Sequence, residues 1–343
     1  MAPDLSNRPK IILGAGIFGG PRVPDVASVK AQCELFRSYG HVGIDTSRAY
    51  PLEHLGRSEE LLFESGVTQW ATIDTKVNSL IEKALTKENV KKSIDESLEA
   101  LGGKQVDVMW LTLPSIDVSF QETVEAMDAA FREGKFKRFG LSNYSPTEVE
   151  EIVEFAEKKG SVKPTVYQGQ YNPVARLAEK ELLPVLRKHG IAYYAYSPSG
   201  AGIFSGKVTK DSVHRTEGRF SNANFVGKLY ADTYLRDELL RGAMKVHEAA
   251  QKHGLTGHAV ALRWVLHHSA LRADLGDAML FSAPNLSQLE ENLKICDQGP
   301  LPEELVKVME DVWLVAEPVA PWAWIDVKAQ AAALAEGLNT IQK

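Results

Sequence analysis

An aspartate, a tyrosine and a lysine are spaced so that they could handle a proton together. Gly43-Ile44-Asp45 closes a short apolar run, Tyr50 follows five residues later, and Thr75-Lys76 closes the next run. A lysine ammonium beside a tyrosine hydroxyl favours the phenolate and draws the tyrosine pKa down from about 10. An aspartate beside that lysine holds the cation in place. Such a trio makes a proton donor suited to the alkoxide formed when hydride adds to a carbonyl. The plainer alternative has Asp45 capping a turn and Lys76 solvated at the surface, as single residues of these types often are in loops.

Which alternative holds depends on the elements that carry these residues. Runs of strand length occur at Ile11 to Leu13, Val42 to Ile44, Trp70 to Ile73, Val106 to Leu111 and Phe139 to Leu141. Three more lie at Thr165 to Tyr167, Ile191 to Tyr196 and Met279 to Phe281. The sequence between them has helical spacing: Phe120, Val124, Met127 and Phe131 form one stripe, Val149, Ile152, Val153 and Ala156 another, and Val90, Ile94, Leu98 and Leu101 a third. Eight strand–helix units predict an α/β fold, a closed (β/α)₈ TIM barrel in a single domain. In a parallel barrel the strand C-terminal ends share one face, which brings Asp45 and Lys76 together. Ser199 to Asp232 breaks the rhythm and reads as a long loop after strand 7. After residue 301 one helix is expected, then a tail with Trp322, Trp324 and an Ala-rich run. The barrel is expected over about residues 10–316 of the 1–343 domain, with the tail at 317–343.

Composition narrows the function. The chain has 343 residues, 44% hydrophobic and 24% charged, and 39 basic against 45 acidic residues give a net charge of −6. Nothing basic is clustered, which argues against a nucleic-acid partner. Two cysteines, Cys33 and Cys296, exclude a disulfide scaffold and a Cys-rich metal site, and no metal is expected. No apolar stretch approaches the roughly 18 residues of a membrane span and the start has no signal core, so a cytoplasmic protein is expected. Oligomeric state leaves no signal.

Gly14-Ala15-Gly16-Ile17-Phe18-Gly19 matches the G-x-G-x-x-G of a Rossmann site. That reading needs a helix to begin inside the motif. A helix crossing Pro21 and Pro24 would lose two backbone donors and meet the proline rings, and the helical period starts near Asp25, with Val29, Cys33 and Phe36 in step. A glycine-rich strand exit at a barrel mouth accounts for these residues better.

Several segments together resemble the aldo-keto reductase superfamily: Gly43-Ile-Asp-Thr with Tyr50, Thr75-Lys76, residues 134–144 (Gly-Lys-Phe-Lys-Arg-Phe-Gly-Leu-Ser-Asn-Tyr) and Val166-Tyr-Gln168. Gln170-Tyr-Asn172, Ala195-Tyr-Ser-Pro198 and Gln288-Leu-Glu-Glu-Asn292 are most similar to its aflatoxin-aldehyde reductase branch. The resemblance runs from about residue 10 to about 316. It implies a barrel that binds NADPH (NADP+) across the strand ends and reduces an aldehyde or ketone, a small-molecule carbonyl substrate. Tyr50 is then the proton donor, tuned by Asp45 and Lys76. Ser142, Asn143 and Gln168 match the positions that hydrogen-bond the nicotinamide carboxamide, and Tyr196 the aromatic stacked on its ring. Ser197, Pro198, Gly206 and Lys207 match the segment over the pyrophosphate, and Gln288, Glu291 and Asn292 the adenine end.

The sequence departs from that pattern in three places. The family histidine that orients the carbonyl is replaced by Thr112, in Trp110-Leu-Thr-Leu-Pro114. Threonine donates one hydrogen bond, but its short side chain needs a water to reach the same point. Losing one preorganised donor typically costs about 10²–10³ in rate. Near strand 8, Ser282-Ala-Pro-Asn285 replaces a phosphate-holding turn, and Pro284 lacks a backbone donor. Ala231, Thr233 and Leu235 stand where the branch has basic and Trp residues. Two other uses of such a barrel stay open: reduction of a C=C bond or non-redox acid–base chemistry, and a silent subunit that binds nicotinamide.

Overall fold

The computed structural model describes residues 8–214, 219–221 and 225–325. Eight parallel strands close a barrel in simple chain order. They are β1 (Lys10–Gly14), β2 (Gly43–Asp45), β3 (Thr72–Lys76), β4 (Val106–Leu111), β5 (Phe136–Ser142), β6 (Pro164–Gln170), β7 (Ala192–Tyr196) and β8 (Ala278–Phe281). The barrel shuts where β1 pairs with β8, from Lys10↔Ala278 to Leu13↔Phe281. Six helices follow the first six strands: α1 (Val26–Ser38), α2 (Arg57–Glu64), α3 (Lys87–Ala100), α4 (Phe120–Arg132), α5 (Pro146–Lys159) and α6 (Leu182–Lys188). Three lie between β7 and β8: α7 (Phe225–Tyr234), α8 (Asp237–Lys252) and α9 (Gly257–His267). Two more, α10 (Leu286–Cys296) and α11 (Glu303–Ala316), come after β8.

Each expected run overlaps a barrel strand, although Trp70 and Ala71 precede β3 and Val42 and Ile191 precede β2 and β7, and local chemistry explains where the helices begin. Asp25 caps α1 in a capping box with Ser28, so no helix enters the Gly14–Gly19 segment. Ser145 and Glu148 form the same box at α5, with Pro146 in the first turn, where a missing N–H costs nothing. The α5 stripe is wholly buried. On α4, Val124 and Met127 are buried, but Phe131 is 37% exposed and leans on Phe136, so the expected stripe is overextended at its C-terminal end.

The segment after β7 differs from the expected loop. Short 3₁₀ turns occupy Gly200–Ser205 and Lys210–His214, and α7 begins at Phe225. Gly227 inside α7 hides its period, since glycine is a poor helix former. It is there because a Cβ at that position would lie 1.7 Å from the Ser221 carbonyl oxygen. The chain after α11 makes one 3₁₀ turn, Glu317–Val319, and continues to Ile325. The Ala-rich run of the expected tail lies outside the described residues.

The barrel interior is filled by Ile12, Val108, Trp110, Val166, Ala192, Tyr194, Ala278 and Leu280. Gly140 is required beside Trp110, because a Cβ would stand 2.2 Å from the indole ring. Both cysteines are free and buried. Among the described residues no helix is long and apolar enough to cross a membrane, and no group of His, Cys, Asp and Glu could hold a metal ion.

Candidate active site

Asp45 is the last residue of β2 and Lys76 the last of β3, so strand geometry alone makes them neighbours on the C-terminal face. The Lys76 ammonium donates to Asp45 Oδ2 at 2.5 Å and to the Thr46 carbonyl at 2.8 Å. Both side chains are buried, which excludes the alternative of a solvated surface lysine. The same ammonium stands 5.1 Å from the centre of the Tyr50 ring. Gln168, from β6 on the far side of the barrel, donates its amide to Asp45 Oδ1 at 2.9 Å. Four side chains from three strands and one loop thus meet at the mouth.

The electrostatics correct one expectation. Lys76 pulls the Tyr50 phenol down, but burial and the Asp45 carboxylate together outweigh it, and the phenol lies above the ordinary tyrosine value. The lysine is visible in the sequence, whereas the burial that opposes it appears only in the folded chain. Burial also works against the Lys76 charge, but Asp45 and Tyr50 more than compensate, and its pKa lies above that of a free lysine. At neutral pH the site therefore holds an ammonium and a protonated phenol.

A second group adjoins it. Ser142 ends β5, in register with Gln168 of β6, and both are buried. Asn143 follows in the left-handed region at φ +65°, a conformation asparagine tolerates better than most residues. Its side-chain amide donates to the Thr112 carbonyl at 2.9 Å and the Ser142 hydroxyl at 3.1 Å, and its Oδ1 accepts from the Tyr196 hydroxyl at 3.2 Å. Thr112, just past β4, is thereby tied to this group through its backbone. Ser197 also has positive φ, and its carbonyl accepts from the Asn172 amide at 3.0 Å; Pro198 beside it is buried. Gly206 ends the 3₁₀ turn with φ +74°, and exposed Lys207 follows it.

Gln288, Glu291 and Asn292, expected at the adenine end, lie on α10, directly after β8. Asn285 caps that helix, accepting the Gln288 N–H at 2.9 Å, and Ser282 donates to the Gly14 carbonyl at 2.8 Å. Asn292 is buried and accepts from Gln288 Nε2 at 3.3 Å, with His258 Nε2 at 2.8 Å. Glu291 shares this helix.

Three further participants stand at the mouth that the residue pattern did not single out. Tyr230 of α7 and Arg219 act electrostatically on Tyr50, and the Arg219 guanidinium lies 5.2 Å from the centre of the Tyr230 ring. The segment after α11 reaches the site as well: the Ile325 N–H donates to the Asn143 carbonyl at 3.0 Å, beside a Trp322–Trp324 pair with centroids 4.5 Å apart. The paired tryptophans were the available signal, although spacing alone does not say what they pack on.

With that geometry in place, comparison with known proteins is decisive: residues 10–314 match the aldo/keto reductase family. The chain belongs to that family. It is 34% identical over 289 residues to an aldo-keto reductase of Pseudocercospora fijiensis, covering 83% of this chain and 97% of that protein. It is 32% identical over 330 residues to the oxidoreductase sirO of Leptosphaeria maculans, covering 94% and 99%. It is also 33% identical over 325 residues to human aflatoxin B1 aldehyde reductase member 4, covering 91% and 96%. In this aldo/keto reductase an ammonium, a carboxylate and a phenol converge at the barrel mouth.

Proposed function

We propose that this aldo/keto reductase is an NADPH-dependent enzyme of one barrel domain that reduces an aldehyde or ketone, with Tyr50 as proton donor. The observation that carries the reading is the buried Asp45–Lys76 pair beneath the Tyr50 ring. The donor set fits a nicotinamide: Ser142, Asn143 and Gln168 offer hydroxyl and amide groups, the donors and acceptors a carboxamide needs. Tyr196, hydrogen-bonded to Asn143, offers a ring face beside them. When bound, the cofactor supplies hydride to the carbonyl carbon. Tyr50 gives its proton to the developing alkoxide, Lys76 stabilises the phenolate left behind, and Asp45, steadied by Gln168, keeps Lys76 charged and in place. Thr112 contributes at most one short donor toward the substrate, so simple aldehydes should turn over slowly. Ser197, Pro198, Gly206 and Lys207 would lie along the pyrophosphate, and Gln288, Glu291 and Asn292 at the adenine. The two free, buried thiols suit the reducing, cytoplasmic setting we infer.

Titration of the purified protein with NADPH and separately with NADH, followed by quenching of protein fluorescence, tests the reading. Tight NADPH binding together with turnover of a carbonyl is the expected result. Absence of binding by either nucleotide at millimolar concentration removes the hydride donor and overturns it.

A further inference from the structure

Tyr50 and Lys76 come from different elements, so their separation has to be set by something else. Lys76 ends β3, whereas Tyr50 lies in the segment 46–56 between β2 and α2. Glu59, in the first turn of α2 and fully buried, joins the two. Its Oε1 accepts the Thr75 hydroxyl at 2.6 Å, and its Oε2 accepts the Arg48 guanidinium at 2.7 Å. Thr75 is the residue before Lys76, and Arg48 stands two residues before Tyr50. One carboxylate therefore holds a near neighbour of each group.

The backbone runs the same way. The Arg48 N–H donates to the Lys76 carbonyl at 3.3 Å, and the Tyr50 carbonyl accepts from the N–H of Ser58, next to Glu59, at 3.1 Å. Gly56 makes room for the guanidinium: at φ +83° its missing Cβ would stand 1.7 Å from Arg48 Nη2. Burial pushes the Glu59 carboxyl up, and Thr75 and Arg48 pull it back. A buried ion pair is a weak source of stability, because desolvation offsets most of the attraction. What the arrangement supplies is fixed geometry around the tyrosine.

We propose that Arg48, Glu59 and Thr75 form a positioning clamp that sets where the Tyr50 hydroxyl stands relative to Lys76. The proposal rests on the reductase reading, since it gives that spacing a task. None of the three touches the reacting atoms; they act through their neighbours. A misplacement of about 1 Å costs on the order of 100-fold in rate, so the clamp should act on kcat and leave substrate and nucleotide affinity alone.

Arg48→Met and Glu59→Gln are the direct variants. Because each leaves a buried charge or its partner unpaired, the double variant Arg48→Met/Glu59→Leu, which removes both charges and leaves only the neutral Thr75 hydroxyl without its acceptor, guards against loss of fold. Expected is a fall in kcat of about 10- to 100-fold in the double variant, with KM and nucleotide binding near wild type, and a smaller fall in Glu59→Gln. A readout without turnover accompanies it. In protein carrying ¹³C-labelled lysine, the Lys76 signal is identified by its change in Tyr50→Phe, because the Tyr50 ring lies 5.1 Å from the ammonium. That signal should move in the double variant. A folded double variant with wild-type kcat and an unmoved Lys76 signal overturns the clamp. If the wild-type protein reduces no carbonyl, the reductase reading fails on its own, and the Lys76 signal alone decides for or against the clamp.

Discussion

At the scale of single residues, the site is a contest over one phenol. Lys76 favours the phenolate, but burial and Asp45 favour the neutral form, and the neutral form prevails. In the proposed mechanism reduction needs the proton on Tyr50, so kcat should stay flat through neutral pH and fall only above about pH 10, where an ordinary tyrosine ionises. A pH–rate profile with a falling limb below pH 8 that Tyr50→Phe abolishes would show instead that the ammonium wins. Tyr50→Phe itself should lower kcat by about 10²–10⁴, the usual worth of a positioned acid, with nucleotide binding retained. Loss of nucleotide binding in that variant would point to a structural role for the hydroxyl.

At the scale of elements, strand ends were legible and coverings were not. Asp45 and Lys76 could be brought together from sequence because each closes an apolar run, and a parallel barrel sends all such ends to one face. Gln168 was legible through the family resemblance, but its bond to Asp45 was not, because it spans 123 residues and follows from barrel closure. The helix α7 was illegible because Gly227 interrupts its period, and Glu59 because nothing local shows that a glutamate in a helix's first turn is buried. The Tyr234 hydroxyl of α7 is buried and accepts from both the Gln170 and the Asn172 amides. Tyr234→Phe leaves both amides without that acceptor, at about 1–3 kcal/mol for each unsatisfied group. The expected result is a lower melting temperature with faster amide hydrogen exchange in residues 225–234. Unchanged exchange there would mean that packing alone seats the helix.

At the scale of the whole molecule, the barrel interior carries more acid than its cations can serve. Beneath Lys76 on β3 lies Asp74, buried and in register with Asp45 on one side and Val108 on the other. The Lys76 ammonium is already committed to Asp45, and the Arg138 guanidinium donates to Asp107 at 2.5 Å and to the Tyr194 hydroxyl at 2.9 Å. Burial first, then the charges of Asp45 and Asp107, hold the Asp74 pKa well above the usual carboxylate value, against a weaker pull from Arg138 and Lys76. In the unfolded chain the same group ionises near pH 4, at about 3.9. A raised folded pKa contributes stability that is fully present below that point and lost as pH rises through the folded value. Asp74→Asn cannot ionise, and it keeps the oxygen that accepts the Val108 N–H. The variant should melt above wild type at pH 8, by about 1–2 °C for each kcal/mol gained, because the unfolding entropy grows with chain length. The gap should narrow as the pH falls toward 4 and close below it, where the wild-type carboxyl is protonated in both states. A gap of opposite sign at pH 8 would mean that the folded barrel ionises Asp74 and shares Lys76 or Arg138 with it, leaving less of the ammonium to hold Asp45 beneath the tyrosine.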